Sequence, residues 1–95
     1  MSNHGVRILL VDDHEMMRKG LQLLLQAQPD VTVVGEASTA ADALTQVRAH
    51  QPNLVVMDVR LPDGSGIEAC REIRSEHPET HVVMLTSYPD EEAVL

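Results

Sequence analysis

Tryptophan and phenylalanine are absent, and Tyr88 supplies the only benzene-type ring in 95 residues. A core must therefore be assembled from Leu, Val, Ile, Met and Ala. The single cysteine, Cys70, excludes an internal disulfide framework and a cysteine-built zinc site. Basic residues are scarce: 7 Lys+Arg face 15 Asp+Glu, a formal net charge of −8. A surface that acidic repels a phosphate backbone, so no direct nucleic-acid contact is expected from these residues. No apolar run approaches the roughly 18 residues that cross a bilayer. Met1-Ser2-Asn3-His4-Gly5 lacks the basic flank and apolar stretch of a secretory signal. What remains is one domain, expected in the cytoplasm and away from membranes.

Four short apolar runs are present: Val6 to Val11, Val31 to Val34, Leu54 to Met57 and Val82 to Leu85. The first, third and fourth are continuous, which predicts parallel strands covered on both faces. The second is shorter and runs into Gly35, which suits an edge. Helical patterns separate the runs. Met17, Leu21, Leu24 and Gln28, with Leu25 beside them, make a stripe stopped by Pro29. Ala40, Ala43, Leu44 and Val47 make a second. Thr39 and Asp42 resemble a capping box at its start, and Pro52 disfavours helix at Gln51. Ile67, Cys70 and Ile73 make a third stripe, with Cys70 expected in the core, closed by His77-Pro78. Strict alternation of strand and helix predicts an α/β parallel sheet with right-handed crossovers. Pro89-Asp90-Glu91-Glu92 reads as the start of a further helix, so a longer parent chain is expected.

Parallel α/β sheets bind ligands beyond the carboxyl ends of their strands. The first run delivers Asp12 and Asp13 there, the third Asp58, the fourth Thr86 and Ser87. Acids brought together repel and call for a cation. All-oxygen donors suit Mg²⁺ or Mn²⁺, which commonly bind one or two carboxylates, waters and a phosphate oxygen. Neither G-x-G-x-x-G nor a P-loop follows the first strand. A carboxylate can also attack phosphorus to form a mixed anhydride, with Thr86 bonding a phosphoryl oxygen. Each residue has a plainer reading. The acid pair could cap the next helix, Asp58 could belong to a turn, and Thr86 could start a loop. His14 could be a ligand, although a solvated first-turn residue fits an oxygen-rich site better. Asp63-Gly64 reads as a turn.

Three segments then resemble the receiver domain of bacterial response regulators: Ile8-Leu9-Leu10-Val11-Asp12-Asp13-His14, Val55 through Gly66 with its Asp58-Val59-Arg60-Leu61-Pro62-Asp63-Gly64 core, and Val83-Met84-Leu85-Thr86-Ser87. The loops look most like the NarL/FixJ type. The resemblance implies a flavodoxin-like sheet, in the order 2-1-3-4 over these residues, with the family's fifth strand missing. It implies Asp58 as phosphoacceptor and Asp13 as direct metal ligand. Asp12 would orient metal-bound water, the Arg60 carbonyl would be a further ligand, and Thr86 the switch hydroxyl. The donor would be a phosphohistidine on a sensor histidine kinase. A helix-turn-helix domain after the receiver would carry DNA binding and transcriptional output. The family's fifth-strand lysine has no counterpart, since the single lysine is Lys19 in the first helical pattern. A fourth strand without its usual neighbour predicts a homodimer or higher assembly. Two other readings compete with this one. In an aspartate-nucleophile phosphatase of the haloacid-dehalogenase kind, a second acid follows the nucleophile by two residues, but Arg60 stands there. A non-phosphorylated interaction module has no need of clustered acids.

Overall fold

In a computed structural model, residues 5–85 are described. The elements are β1 (Val6–Val11), α1 (Glu15–Gln26), β2 (Val31–Ala37), α2 (Ala40–His50), β3 (Leu54–Asp58), β4 (Arg60–Leu61), β5 (Gly64–Ser65), α3 (Gly66–Glu76) and β6 (His81–Leu85). The long strands run parallel in the order β2-β1-β3-β6. This is the expected 2-1-3-4 order, because β4 and β5 form only a small separate hairpin. Thr86, Ser87, Tyr88 and the Pro89-Asp90-Glu91-Glu92 helix start lie outside the described residues.

The centre of the sheet follows directly from composition. Ile8 through Val11 in β1 are at most 3% exposed, and Val55 and Met57 of β3 are sealed. Leu9, Val11, Val55 and Met57 join Ala37, Ala43, Val47, Leu61, Ala69 and Ile73 in one cluster, with Val82 and Met84 against it. Each large aliphatic side chain fully buried contributes about 1.5–3 kcal/mol, so this cluster holds α2 and α3 to the sheet. β2 is an edge strand, as expected. It extends through Gly35, Glu36 and Ala37, and the register shifts between Ile8 and Leu9 to accommodate the longer strand. Thr39 caps α2 by accepting from the Asp42 N–H at 3.0 Å. The helix closes at His50, with Gln51 in the left-handed region at φ 47° before Pro52.

Three expectations are corrected. The first helical stripe is rotated: Arg18, Leu21, Gln22 and Leu25 are partly covered, while Met17 and Leu24 are exposed and α1 buries no residue. Arg18 occupies a covered position because its guanidinium finds Glu36 and the Asp12 carbonyl. On α3, Ala69 occupies the buried position and Cys70 is only partly buried, while Ile67 is exposed. Finally, among the described residues β6 is not covered on both faces. Val82 and Met84 pack inward, but Val83 and Leu85 are 46% and 37% exposed.

Candidate metal and phosphoryl site

Strand register places the acids. Val11 of β1 lies opposite Met57 of β3, so Asp12, just past β1, and Asp58, the last residue of β3, lie side by side. Asp12 and Asp58 are 5% and 3% exposed, whereas Asp13 is open to solvent. Ligand-capable atoms of Asp12, Asp13, His14 and Asp58 all lie within 4.8 Å of one another. Thr86, the remaining side chain expected at this edge, lies outside the described residues.

Local hydrogen bonds fix these groups. The Asp12 N–H donates to the Ala37 carbonyl at 3.0 Å. Its Oδ1 accepts from the His14 N–H at 2.7 Å, so Asp12 also closes the turn into α1. Arg18 donates to the Asp12 carbonyl and, through Nε, to Glu36 Oε1 at 3.0 Å. Asp58 Oδ1 accepts from the Arg60 N–H at 3.2 Å. Gly66 sits against this loop: its N–H donates to the Val59 carbonyl at 2.7 Å, and a Cβ there would meet the Asp58 carbonyl oxygen at 2.3 Å. Only glycine fits such a close approach.

His14 is exposed, as expected, but it is engaged with the acid pair. Its Nδ1 lies 2.7 Å from Asp12 Oδ1 and 3.1 Å from Asp13 Oδ1. The hydrogen bond to Asp12, and then the charge of Asp13, raise its pKa above 6.5. An imidazolium can thus offset part of the negative charge here. The donor set is dominated by carboxylate oxygens, two of the three acids being nearly sealed from water. That chemistry fits a hard divalent cation.

Two residues take part in ways the sequence pattern does not show, Arg18 being unassigned there and Asp63 read only as a turn residue. Arg18 anchors the loop after β1, and Asp63 reaches from the β4–β5 turn to α2, accepting from the Ala40 and Ala41 N–H groups at 2.7 and 3.0 Å. These bonds hold its carboxyl below the ordinary value of 3.8.

Residues 8–95 match the family described as response regulator receiver domain. The chain belongs to that family. Among curated relatives, this receiver is 51% identical over 90 residues to the DNA-binding transcriptional activator DevR/DosR of Mycobacterium tuberculosis, covering 95% of this chain and 42% of that protein. It is 42% identical over 90 residues to the response regulator VraR of Staphylococcus epidermidis, covering 95% of this chain and 43% of the relative. The receiver thus spans under half the length of these relatives. Among solved structures, the signal receiver domain of a NarL response regulator from Mycobacterium tuberculosis superposes with a TM-score of 0.84 at 32% identity, over 90% of this chain and 69% of that one. A LuxR-family two-component response regulator from Aurantimonas gives 0.83 at 37%, over 95% and 65%. Among the described residues no helix is long and apolar enough to cross a membrane.

Proposed function

We propose that this receiver accepts a phosphoryl group on Asp58 from a phosphohistidine of a sensor histidine kinase. The observation that carries this reading is the meeting of Asp12, Asp13 and Asp58 at the carboxyl edge of β1 and β3, with ligand atoms within 4.8 Å of one another. A carboxylate oxygen of Asp58 forms the new bond to phosphorus. The phosphorus–nitrogen bond of the donor breaks, and the imidazole nitrogen keeps its electron pair and takes a proton. The product is a mixed anhydride. Mg²⁺ or Mn²⁺, held by Asp13, Asp58 and the Arg60 backbone carbonyl with Asp12 acting through water, would neutralise charge on the transferring oxygens. Asp58 is kept in one orientation by the Arg60 N–H, and Asp12 by the His14 N–H. Thr86, the residue after β6, is assigned the switch hydroxyl that bonds the phosphoryl group.

The chemistry is stoichiometric, so the chain is read as a signalling module rather than an enzyme. Arg60 stands where a turnover phosphatase of the aspartate-nucleophile kind would need its second acid. Incubation with acetyl phosphate and Mg²⁺ is expected to add about 80 Da, one phosphoryl group, with no gain in Asp58→Asn or without the metal. Mass gain in Asp58→Asn would overturn the assignment. Steady turnover of a phosphate monoester would favour the phosphatase instead.

The relative DevR/DosR is described as DNA-binding. We place the corresponding transcriptional output in a helix-turn-helix domain beyond the receiver, in the cytoplasm, and assign no DNA contact to these acidic residues. Among the described residues β6 pairs with β3 alone and exposes Val83 and Leu85. Such an edge favours strand addition, so a homodimer or higher assembly is proposed. A monomer by light scattering at high concentration would count against it.

A further inference from the structure

The segment after Asp58 is pinned at both ends. At its base, the Val59 N–H donates to Leu85, the Gly66 N–H donates to Val59, and Arg60 donates to Asp58 Oδ1. Leu61 roots it in the core cluster. At its tip, Asp63 spans 23 positions to take the Ala40 N–H at 2.7 Å and the Ala41 N–H at 3.0 Å. These are the first two residues of α2, whose N–H groups have no partner inside the helix. The next, Asp42, is served locally by Thr39. α2 therefore has two caps of different reach. Thr39 serves the helix alone, whereas Asp63 ties the helix to the loop carrying Arg60. An anion at a helix start is favoured electrostatically, and two bonds to one carboxylate also restrict its orientation.

We infer that Asp63 is a positioning residue for the phosphoryl site: by fastening the tip of the β4–β5 hairpin to α2, it sets the Arg60 backbone where a divalent ion is to be held. This rests on the function proposed above. It differs from a simple helix cap in one respect. A cap acts only on α2, while a pin also acts on metal affinity and on the amides at the base of the hairpin.

The test compares Asp63→Ala and Asp63→Asn with Thr39→Ala in the full chain. Mg²⁺ affinity is measured by calorimetry, and exchange of the Arg60 and Gly66 amides by NMR. Both alanine variants lose a cap, so both should lower the melting temperature. Only Asp63→Ala should weaken Mg²⁺ by about 10-fold or more, the range seen when groups orienting a metal ligand are removed. It should also speed exchange of the two amides by about 10-fold. Asp63→Asn, which keeps one acceptor oxygen, should fall between. The inference is overturned if Asp63→Ala binds Mg²⁺ like the parent chain, or if Thr39→Ala weakens it equally. If the parent chain itself binds no Mg²⁺, the proposed function falls. The pin is then judged on exchange alone: selective loss of protection in Asp63→Ala supports it, and unchanged protection removes it.

Discussion

On one side of the sheet, Leu9, Val11, Val55 and Met57 meet Ala43 and Val47 of α2 and Ala69 and Ile73 of α3 in a continuous buried cluster. On the side of α1 the covering among the described residues is thin. Ile8 and Leu10 are buried, yet α1 seals no residue of its own, and Leu23 and Leu24 are 75% and 69% exposed. The acids divide along the same line. Asp58 and its hairpin are rooted in the packed side through Leu61, Gly66 and Asp63. Asp12 and Asp13 are held mainly by polar contacts at the start of α1, through its capping residue His14 and, for Asp12, through Arg18. Leu61 therefore adds close packing to the hydrogen bonds on the Asp58 side, whereas the Asp12–Asp13 side relies mainly on polar contacts that water can compete for.

The largest expected effect comes from breaking the packed side. Ile73 is completely buried between α3 and the sheet. Ile73→Ala should cost about 2–5 kcal/mol, combining lost transfer energy with a residual cavity. Equilibrium denaturation would measure it, and a cost below about 1 kcal/mol, the level of an ordinary substitution, would erase the distinction between the two sides.

A smaller effect sharpens the comparison through pH. Asp63 is held below its ordinary value of 3.8 by the bonds from Ala40 and then Ala41. A carboxyl lowered in the folded state stabilises fully above its unfolded value and loses that contribution as pH falls through the folded one. Parent and Asp63→Asn should thus differ in denaturation midpoint at pH 6, and the gap should close below about pH 4. A gap that persists undiminished at pH 2.5 would show that the carboxylate charge is not what anchors the hairpin.

Much of this was legible because its causes are local. Continuous β-branched runs gave away the central strands, Thr39 with Asp42 marked a real cap, and Pro52 marked a real stop. The acids could be named from strand ends because parallel register converts sequence position into spatial edge. The misreadings share a different cause. Counting only apolar residues rotated α1, since Arg18 is charged at its tip yet takes a covered position through partners at Asp12 and Glu36. The stripe on α3 preferred Cys70 over Ala69, although the small side chain suits close contact with the sheet. Turn chemistry alone accounts for Asp63 locally, and its partners 22 and 23 positions away leave no local trace. His14 is solvated as the oxygen-rich site predicts, and only its bond back to Asp12 leaves no mark in the sequence pattern.

The smallest expected effect is the most direct probe of the thin side. Leu24 is 69% exposed on α1, so replacing it forfeits little buried area, and Glu is as good a helix former as Leu to within a few tenths of a kcal/mol. Leu24→Glu should change stability by no more than about 0.5 kcal/mol, the usual range for surface substitutions. Leu21, partly covered on the side of α1 that meets the sheet, provides the contrast: Leu21→Glu places a carboxylate against apolar neighbours and should cost several times more. The pair reads the helix's orientation directly. Equal costs at both positions would mean that the outer face of α1 is covered in solution, and the contrast between the two sides of the sheet would then belong to the isolated chain rather than to the working protein.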